Sequence, residues 1–324
     1  MDTAAPWISE GGWRSPATVR LLSAAWDRLG HTSLGERLLG LGGAEAMGRR
    51  WARSRVVKKL QAVPSDITVL IGIRNRTDHR IMNALQSLRH QVYPQGQVHA
   101  LVVDYGSEAA EADRLGEICR RFDARIVRVE GVAIWSRSRC LNIGLRQTRT
   151  KYVMTSDADI ILSPSYLADA VATLESRPLS VVCAPMLDLP EASTCAAARA
   201  ARNGDVLDVE ALRAESLARK EMELHPSAGV TFTAYHHAIR GYDEFYEGWG
   251  REDDDLVSRL MALGIRMTAI PETSFYLHQW HPKYEGLDPV EQARTLERNT
   301  AHIRRSRSIV RNDGNWGRTP VSHG

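Results

Sequence analysis

The chain has 324 residues, 43% of them hydrophobic and 25% charged, with a formal net charge of +3. That length holds one large domain or two small ones with a sizeable core. So slight a charge demands no nucleic-acid partner, and no apolar run reaches the ~20 residues of a membrane span.

Residues 1–30 alternate polar and apolar side chains, so no signal peptide is expected. Cys119, Cys140, Cys183 and Cys195 show no paired spacing. They read as reduced core residues of a cytosolic protein, not as a disulfide or metal framework. Residues 1–63 read as an N-terminal helical extension. Val19, Leu21, Leu22, Ala25 and Trp26 mark one amphipathic helix, and Leu34, Leu38, Leu39 and Leu41 a second. Arg49, Arg50, Arg53, Arg55, Lys58 and Lys59 then make a basic helix, with Trp51, Val56, Val57 and Leu60 interleaved. Such a helix is a solvated face packed on the next domain, or it docks on an anionic membrane surface. The expected location is cytoplasmic, in the second case peripheral to the inner face of the membrane. Pro64 and Ser65 mark the boundary.

Residues 67–73 are a continuous apolar run, which predicts a buried parallel strand. Arg74, Asn75 and Arg76 follow its C-terminal end, where open α/β sheets bind ligands. Two arginines there suit phosphate through bidentate hydrogen bonds. Thr77 or Asp78 caps a helix with Ile81, Leu85 and Leu88 on one side. Residues 98–103 predict a second strand, ending in Asp104-Tyr105-Gly106-Ser107, an Asp-x-Gly turn. A helix over 108–122 and a strand over 125–129 complete a further repeat. Arg137 and Asn142 fall on a helix that packs Leu141 and Leu145 inward.

An apolar strand from 152 then meets Asp157-Ala158-Asp159 and resumes apolar at Ile160. Two acids inside a hydrophobic run are unfavourable unless a cation compensates them. Alternation along an extended chain puts both on one side. Hard carboxylates facing a diphosphate suit Mg²⁺ or Mn²⁺. Ala-rich, charged residues between Ala196 and Leu224 predict one or two helices, which shape an acceptor cleft or decorate the surface.

The most informative stretch is 246–256. Gly248-Trp249-Gly250-Arg251 precedes four consecutive carboxylates, Glu252, Asp253, Asp254 and Asp255. Leu256, Val257, Leu260, Met261 and Leu263 then recur at helical spacing until Gly264. The acids therefore start a helix, on a glycine loop able to approach a ligand closely. Complementing the helix dipole stabilises by about 0.3–1 kcal/mol per acid, which accounts for one or two of them. Four repel one another, and perturbed carboxylates gather at active sites. A strand over 265–270 follows, then Phe275, His278 and His281. Asp288, Pro289 and Glu291 open a last helix from 289 to about 310. The tail after Arg311 is expected to be loose.

Taken in order, residues 66–282 resemble the β-1,4-galactosyltransferases and related inverting family 2 glycosyltransferases. Residues 249–255 are similar to that family's Trp-Gly-Gly-Glu-Asp-Asp-Asp signature, with Arg251 in place of a glycine. Arg74-Asn75-Arg76 resembles its Phe-Arg-Asn-Arg segment, although Gly72-Ile73 stand where it has Pro-Phe. Asp104 and the residues after it resemble Asp-x-Gly-Ser. Residues 135–145 resemble its Phe-Asn-Arg-Ala-Lys-Leu-Leu-Asn-Val-Gly-Phe helix. Residues 228–231 resemble its Gly-Gly-Val-Ser turn, without the preceding aromatic: Pro226 and Ser227 stand there, so the donor sugar is not implied.

The resemblance implies a GT-A fold: α/β, Rossmann-like, nucleotide-sugar-binding, with a mixed, mostly parallel central sheet. The catalytic domain would cover 64–285, divided into a nucleotide-sugar half (64–189), a helical insertion (190–226) and an acceptor half (227–285). A C-terminal helix and tail (286–324) would follow. It implies a metal-dependent, inverting hexosyltransferase that uses a nucleotide-sugar donor, most simply a UDP sugar. The acceptor would be a hydroxyl of a glycan, glycolipid or small molecule. Asp253 would be the general base, with Glu252 and Asp254 orienting the acceptor. Arg74, Arg76, Asp104, Arg137, Asp157, Gly229 and Trp249 would hold the donor. Asp159 and His278 would bind Mn²⁺ or Mg²⁺, with His281 as a rival ligand and Phe275 replacing a methionine ligand. Imidazole favours Mn²⁺. A non-catalytic nucleotide-sugar-binding protein, a membrane-recruited scaffold and a nucleotidyltransferase are the competing readings.

Overall fold

The structure is a computed structural model that describes residues 65–319, apart from 204, 219–223, 283–287 and 307. The helices expected in 1–63 lie outside the described residues. β1 (Ile67–Ile73) is the first apolar run, buried along almost its whole length. α1 (His79–Arg89) follows, capped by Asp78, whose side chain accepts from Arg80 N. β2 (Val98–Tyr105), α2 (Ala109–Arg121), β3 (Arg125–Val129), α3 (Arg137–Gln147) and β4 (Tyr152–Ser156) continue the alternation. Each helix buries its apolar stripe on the sheet: Leu115 and Ile118 from α2, Leu141 and Leu145 from α3.

These four strands are parallel and stand in the order β3-β2-β1-β4. The order reverses at β1, so a crevice opens outside the C-terminal ends of β1 and β4. The acids after β4 do not lie on one extended strand, as alternation predicts. Ala158 and Asp159 form a turn, and β5 (Ile160–Leu162) enters a second sheet. The apolar residues after the acids divide between two cores, Ile160 and Leu162 staying in the main one. Val153 belongs to the main one, and Ile161 to a smaller one with Phe275 and Leu277.

α4 (Tyr166–Ser176), β6 (Ser180–Ala184) and β7 (Met186–Asp188) lead to the segment expected as a helical insertion. Its helices are α5 (Glu191–Asn203) and α6 (Val209–Glu215), the first starting earlier than Ala196. They close the smaller core with Ala197, Leu207, Val209 and Leu212. After β8 (Leu217–Ala218) comes β9 (His225–Phe232), antiparallel between β4 and β6. Residues 228–231 are thus strand and not turn. A Cβ on Gly229 would lie 2.9 Å from Val181 Cγ1 and 3.1 Å from Pro226 O, so the glycine permits close packing inside the sheet.

α7 (Thr233–Ile239), α8 (Glu252–Ala262), β10 (Arg266–Ala269), β11 (Tyr276–His278) and α9 (Pro289–Arg305) complete the order. The large sheet runs β10-β6-β9-β4-β1-β2-β3 and the small one β5-β11-β7-β8. α9 is capped by Asp288 as expected but stops at Arg305. Among the described residues beyond Arg311, Asn312, Trp316 and Gly317 are packed, not loose. Asn312 Nδ2 donates to Arg240 O at 2.7 Å, and Gly317 N to Glu244 Oε1 at 2.7 Å. All four cysteines are free; Cys119, Cys140 and Cys183 are buried, whereas Cys195 is exposed and so is no core residue. Among the described residues no helix is long and apolar enough to cross a membrane.

Candidate active site

Winding the four acids into α8 turns each about 100° from the last and gives them separate fates. Asp255 is fully buried and meets Arg259 Nε at 2.6 Å and Arg311 Nη2 at 3.1 Å. Arg259 Nη1 also donates to Gly241 O at 2.9 Å, so this pair ties α8 into the fold. Asp254 faces outward, paired with Arg251 Nη1 at 2.9 Å. Glu252 and Asp253 face Arg137, the first residue of α3.

Arg137 joins two sides of the crevice. Its Nη1 donates to Asp253 Oδ1 at 2.7 Å and lies 3.9 Å from Glu252 Oε1. Its Nε donates to Asp157 Oδ1 at 2.9 Å. Ser136 caps α3 by accepting from Arg139 N, and its hydroxyl donates to Tyr246 O at 2.7 Å. That pair of bonds fixes Arg137 beside the acid helix. Burial works against the guanidinium charge, but Asp157 and Asp253 outweigh it and hold the group charged well above its ordinary range. Burial, and then the charge of Asp253, push the Glu252 carboxyl up to about 7, with Arg137 opposing.

The second cluster starts at Asp159, in the turn after β4. β11 runs antiparallel to β5, pairing His278 with Ile160, and parallel to β7, pairing His278 with Asp188. Register alone therefore brings His278 between Asp159 and Asp188. Its Nδ1 lies 2.9 Å from Asp188 Oδ1, which turns Nε2 towards Asp159 Oδ2 at 3.9 Å. His281 Nε2 lies 3.6 Å from the same oxygen. One ligand atom from each of Asp159, His278 and His281 falls within 4.8 Å of the others. Burial raises the Asp159 carboxyl, with His278 opposing, and its Oδ1 is buried without a hydrogen-bond partner. Metal–ligand bonds of about 2.1 Å set neighbouring donor atoms about 3–3.5 Å apart, so modest closure of this triangle accommodates a divalent cation. Two imidazoles and a carboxylate favour Mn²⁺ over Mg²⁺. Phe275 is buried in the smaller core, away from ligand duty.

The other donor candidates are spread along the crevice. Arg74 donates to Val132 O and Ala133 O at 3.3 Å, so it braces the loop before α3. The charge of Arg76 reaches Asp159 and, after the histidines, opposes the rise that burial gives its carboxyl. Asp104, fully buried at the end of β2, accepts from Ser107 N at 3.1 Å and lies 3.8 Å from Arg128 Nε. Trp249 is 51% exposed at the tip of its loop. The structure thus gathers Arg137, Asp157, Glu252 and Asp253 into one cluster. Asp159 heads an adjoining one with His278. Asp254 is turned to the surface and Gly229 lies within the sheet. Sequence reasoning treated His281 as an alternative to His278, and it missed Asp188. The His-x-x-His spacing at a strand end was the available signal.

Residues 68–199 match the family 2 glycosyltransferases, and residues 229–282 match the N-terminal domain of galactosyltransferase. The family 2 match covers the βα units from β1 into α5, and the fold is GT-A. Among solved structures, GalNAc-T7 with UDP, GalNAc and Mn²⁺ is 11% identical with a TM-score of 0.54, over 74% of this chain and 47% of that one. The mannosyltransferase PcManGT from Pyrobaculum calidifontis, in complex with GDP-Man and Mn²⁺, is 18% identical with a TM-score of 0.50, over 89% and 77%. TarS of S. aureus is 18% identical with a TM-score of 0.47, over 75% and 44%. The chain therefore spans less than half the length of GalNAc-T7 and TarS. No curated protein matches it. The two side-chain clusters adjoin at Asp157 and Asp159, just past the strand where the sheet order reverses.

Proposed function

We propose that the chain transfers a sugar from a nucleotide sugar, most simply a UDP sugar, to an acceptor hydroxyl with inversion at the anomeric carbon. The observation that carries this is Arg137, bonded at once to Asp157 and to Asp253, one turn of chain away from the Asp159–His278–His281 triangle. Asp159, His278 and His281 would hold Mn²⁺, which when bound neutralises charge on the departing diphosphate. The acceptor oxygen forms its bond to the anomeric carbon as the bond to the diphosphate breaks. Its proton passes to Asp253. Oδ1 of that residue is taken by Arg137, so Oδ2 is the accepting oxygen. A positioned base contributes about 10²–10⁴-fold. Asp157, held by Arg137, lines the donor side, and Glu252 stands beside the base. Trp249 offers its exposed face to a sugar.

A panel of nucleotide sugars with Mn²⁺ tests this by thermal stabilisation, and by nucleotide release in the presence of p-nitrophenyl glycosides. The anomeric configuration of the product follows from NMR. Failure of every nucleotide sugar to raise the melting temperature, with no transfer, would end the proposal.

A further inference from the structure

We infer that Asn299 of α9 is a positioning residue for the acceptor side of the cleft, because its buried amide fixes the backbone of the loop that carries Trp249 and leads into the acid helix. The kinetic part of this inference rests on the transfer reaction proposed above; the structural part does not. Asn299 is fully buried, and its Nδ2 donates to Gly250 O at 2.9 Å, with Glu247 O and Trp249 O both at 3.4 Å. Three carbonyls of one loop converge on one nitrogen, which has two hydrogens to give.

The loop is shaped for that grip. Gly248 and Gly250 have φ of 69° and 98°, a region other residues rarely adopt. A Cβ on Gly248 would lie 2.7 Å from Thr295 Cγ2, and one on Gly250 3.0 Å from Leu296 Cδ1. The loop backbone therefore lies directly on α9. Arg298 Nη2 donates to Glu247 O at 3.3 Å, and Arg251 Nε donates to Thr300 Oγ1 at 3.3 Å. On its other side the loop is tied to the start of α3, where Gly248 N donates to Trp135 O at 2.8 Å. α9 lies beyond both family matches, which end at 199 and 282. An element outside both family matches thus sets the loop that presents Trp249. A fixed backbone beneath an exposed aromatic face spares a sugar the entropy of ordering that loop on binding.

Asn299→Asp tests the assignment, since it keeps the shape but turns the N–H donors into acceptors facing three carbonyls. In the folded variant, hydrogen exchange of the 246–252 amides should rise about tenfold, as expected for the loss of one or two hydrogen bonds. The KM for a p-nitrophenyl glycoside acceptor should rise about tenfold with kcat nearly kept, because uniform binding is what is lost. UDP affinity in the presence of Mn²⁺, measured by calorimetry, should stay within about twofold, because Arg137, Asp157, Asp159, His278 and His281, proposed above for the donor and metal, lie outside the 246–252 loop and the indole of Trp249 is assigned to the acceptor sugar. Should Asn299→Asp not fold, Asn299→Ala removes the same donors without adding a charge and takes the same measurements. Unchanged exchange at 246–252 would overturn the inference, as would a fall in UDP affinity parallel to the rise in acceptor KM. If the unaltered protein turns over no member of the panel, the transfer reading fails, while the exchange measurement still decides the role of Asn299.

Discussion

Arg137 reaches Asp157 with one nitrogen and Asp253 with another, so the acid expected to take the proton starts out ion-paired. Asp253→Asn keeps an oxygen for Arg137 and loses the proton acceptor. We expect transfer to fall by about 10²–10⁴ while UDP binding by calorimetry stays nearly intact. Normal turnover in that variant would mean that another base is at work. Glu252 gives a second handle. Its carboxyl sits at about 7 in the folded chain, against 4.5 for an ordinary glutamate, because burial and Asp253 disfavour its charge. Its folded pKa is raised, so its contribution to stability is fully present below 4.5 and is lost as pH rises through about 7. Urea unfolding at a series of pH values should show stability falling over that window, and Glu252→Gln should flatten the fall. An equal slope in both proteins would show that Glu252 is not the group responsible. At this scale the sequence grouped four acids but could not tell their surroundings apart. Asp255 reads like its neighbours in the string, and only the helical turn commits it to Arg259 and Arg311.

The metal candidates belong to elements more than to residues. The resemblance named Asp159 and His278, and alternation along one strand was the ground offered for facing Asp159 the same way as Asp157. The structure keeps the residues and changes the reason: a turn at 158–159 moves the chain into the small sheet, and β11 returns beside it. No local pattern encodes that register, nor the parallel pairing of β11 with β7 that supplies Asp188. The turn proposed at 228–231 failed in a related way. A glycine inside a strand resembles a turn glycine until Val181 and Pro226 are seen against it. Three variants separate the ligands. Asp159→Ala should abolish Mn²⁺-dependent UDP binding in a calorimetric titration. His281→Ala should weaken Mn²⁺ affinity, by electron paramagnetic resonance titration, without changing metal-free UDP binding. Asp188→Asn should cost about tenfold or more through the orientation of His278. A Mn²⁺ titration indifferent to His281→Ala would return the site to a single histidine.

At the scale of the whole molecule, the βα order from 67 to 162 was legible because β1, β2 and β4 each hold an apolar run and each helix carries a stripe. The C-terminal segment was not, since Asn312, Trp316 and Gly317 have no period to read. They cover the end of α7, the loop after it and α3. Trp316 is 4% exposed and packs edge-on to His237 at 5.4 Å, with Arg146 at 5.2 Å over its ring. Burial, and then the charge of Arg146, push His237 down to about 4, so it meets the indole as a neutral ring. Gly241 makes room for this: a Cβ there would lie 2.9 Å from Trp316 Cζ3. Asn312 Oδ1 meanwhile accepts from Glu244 N at 3.0 Å, ahead of the Trp249 loop. Removing a buried indole costs about 3–5 kcal/mol. Trp316→Ala should therefore lower the urea midpoint strongly, with an unchanged m-value if the fold is otherwise kept. A midpoint equal to that of the unaltered protein would mean that residues beyond Arg311 add nothing to stability, and that the loose tail expected from the sequence was the better description.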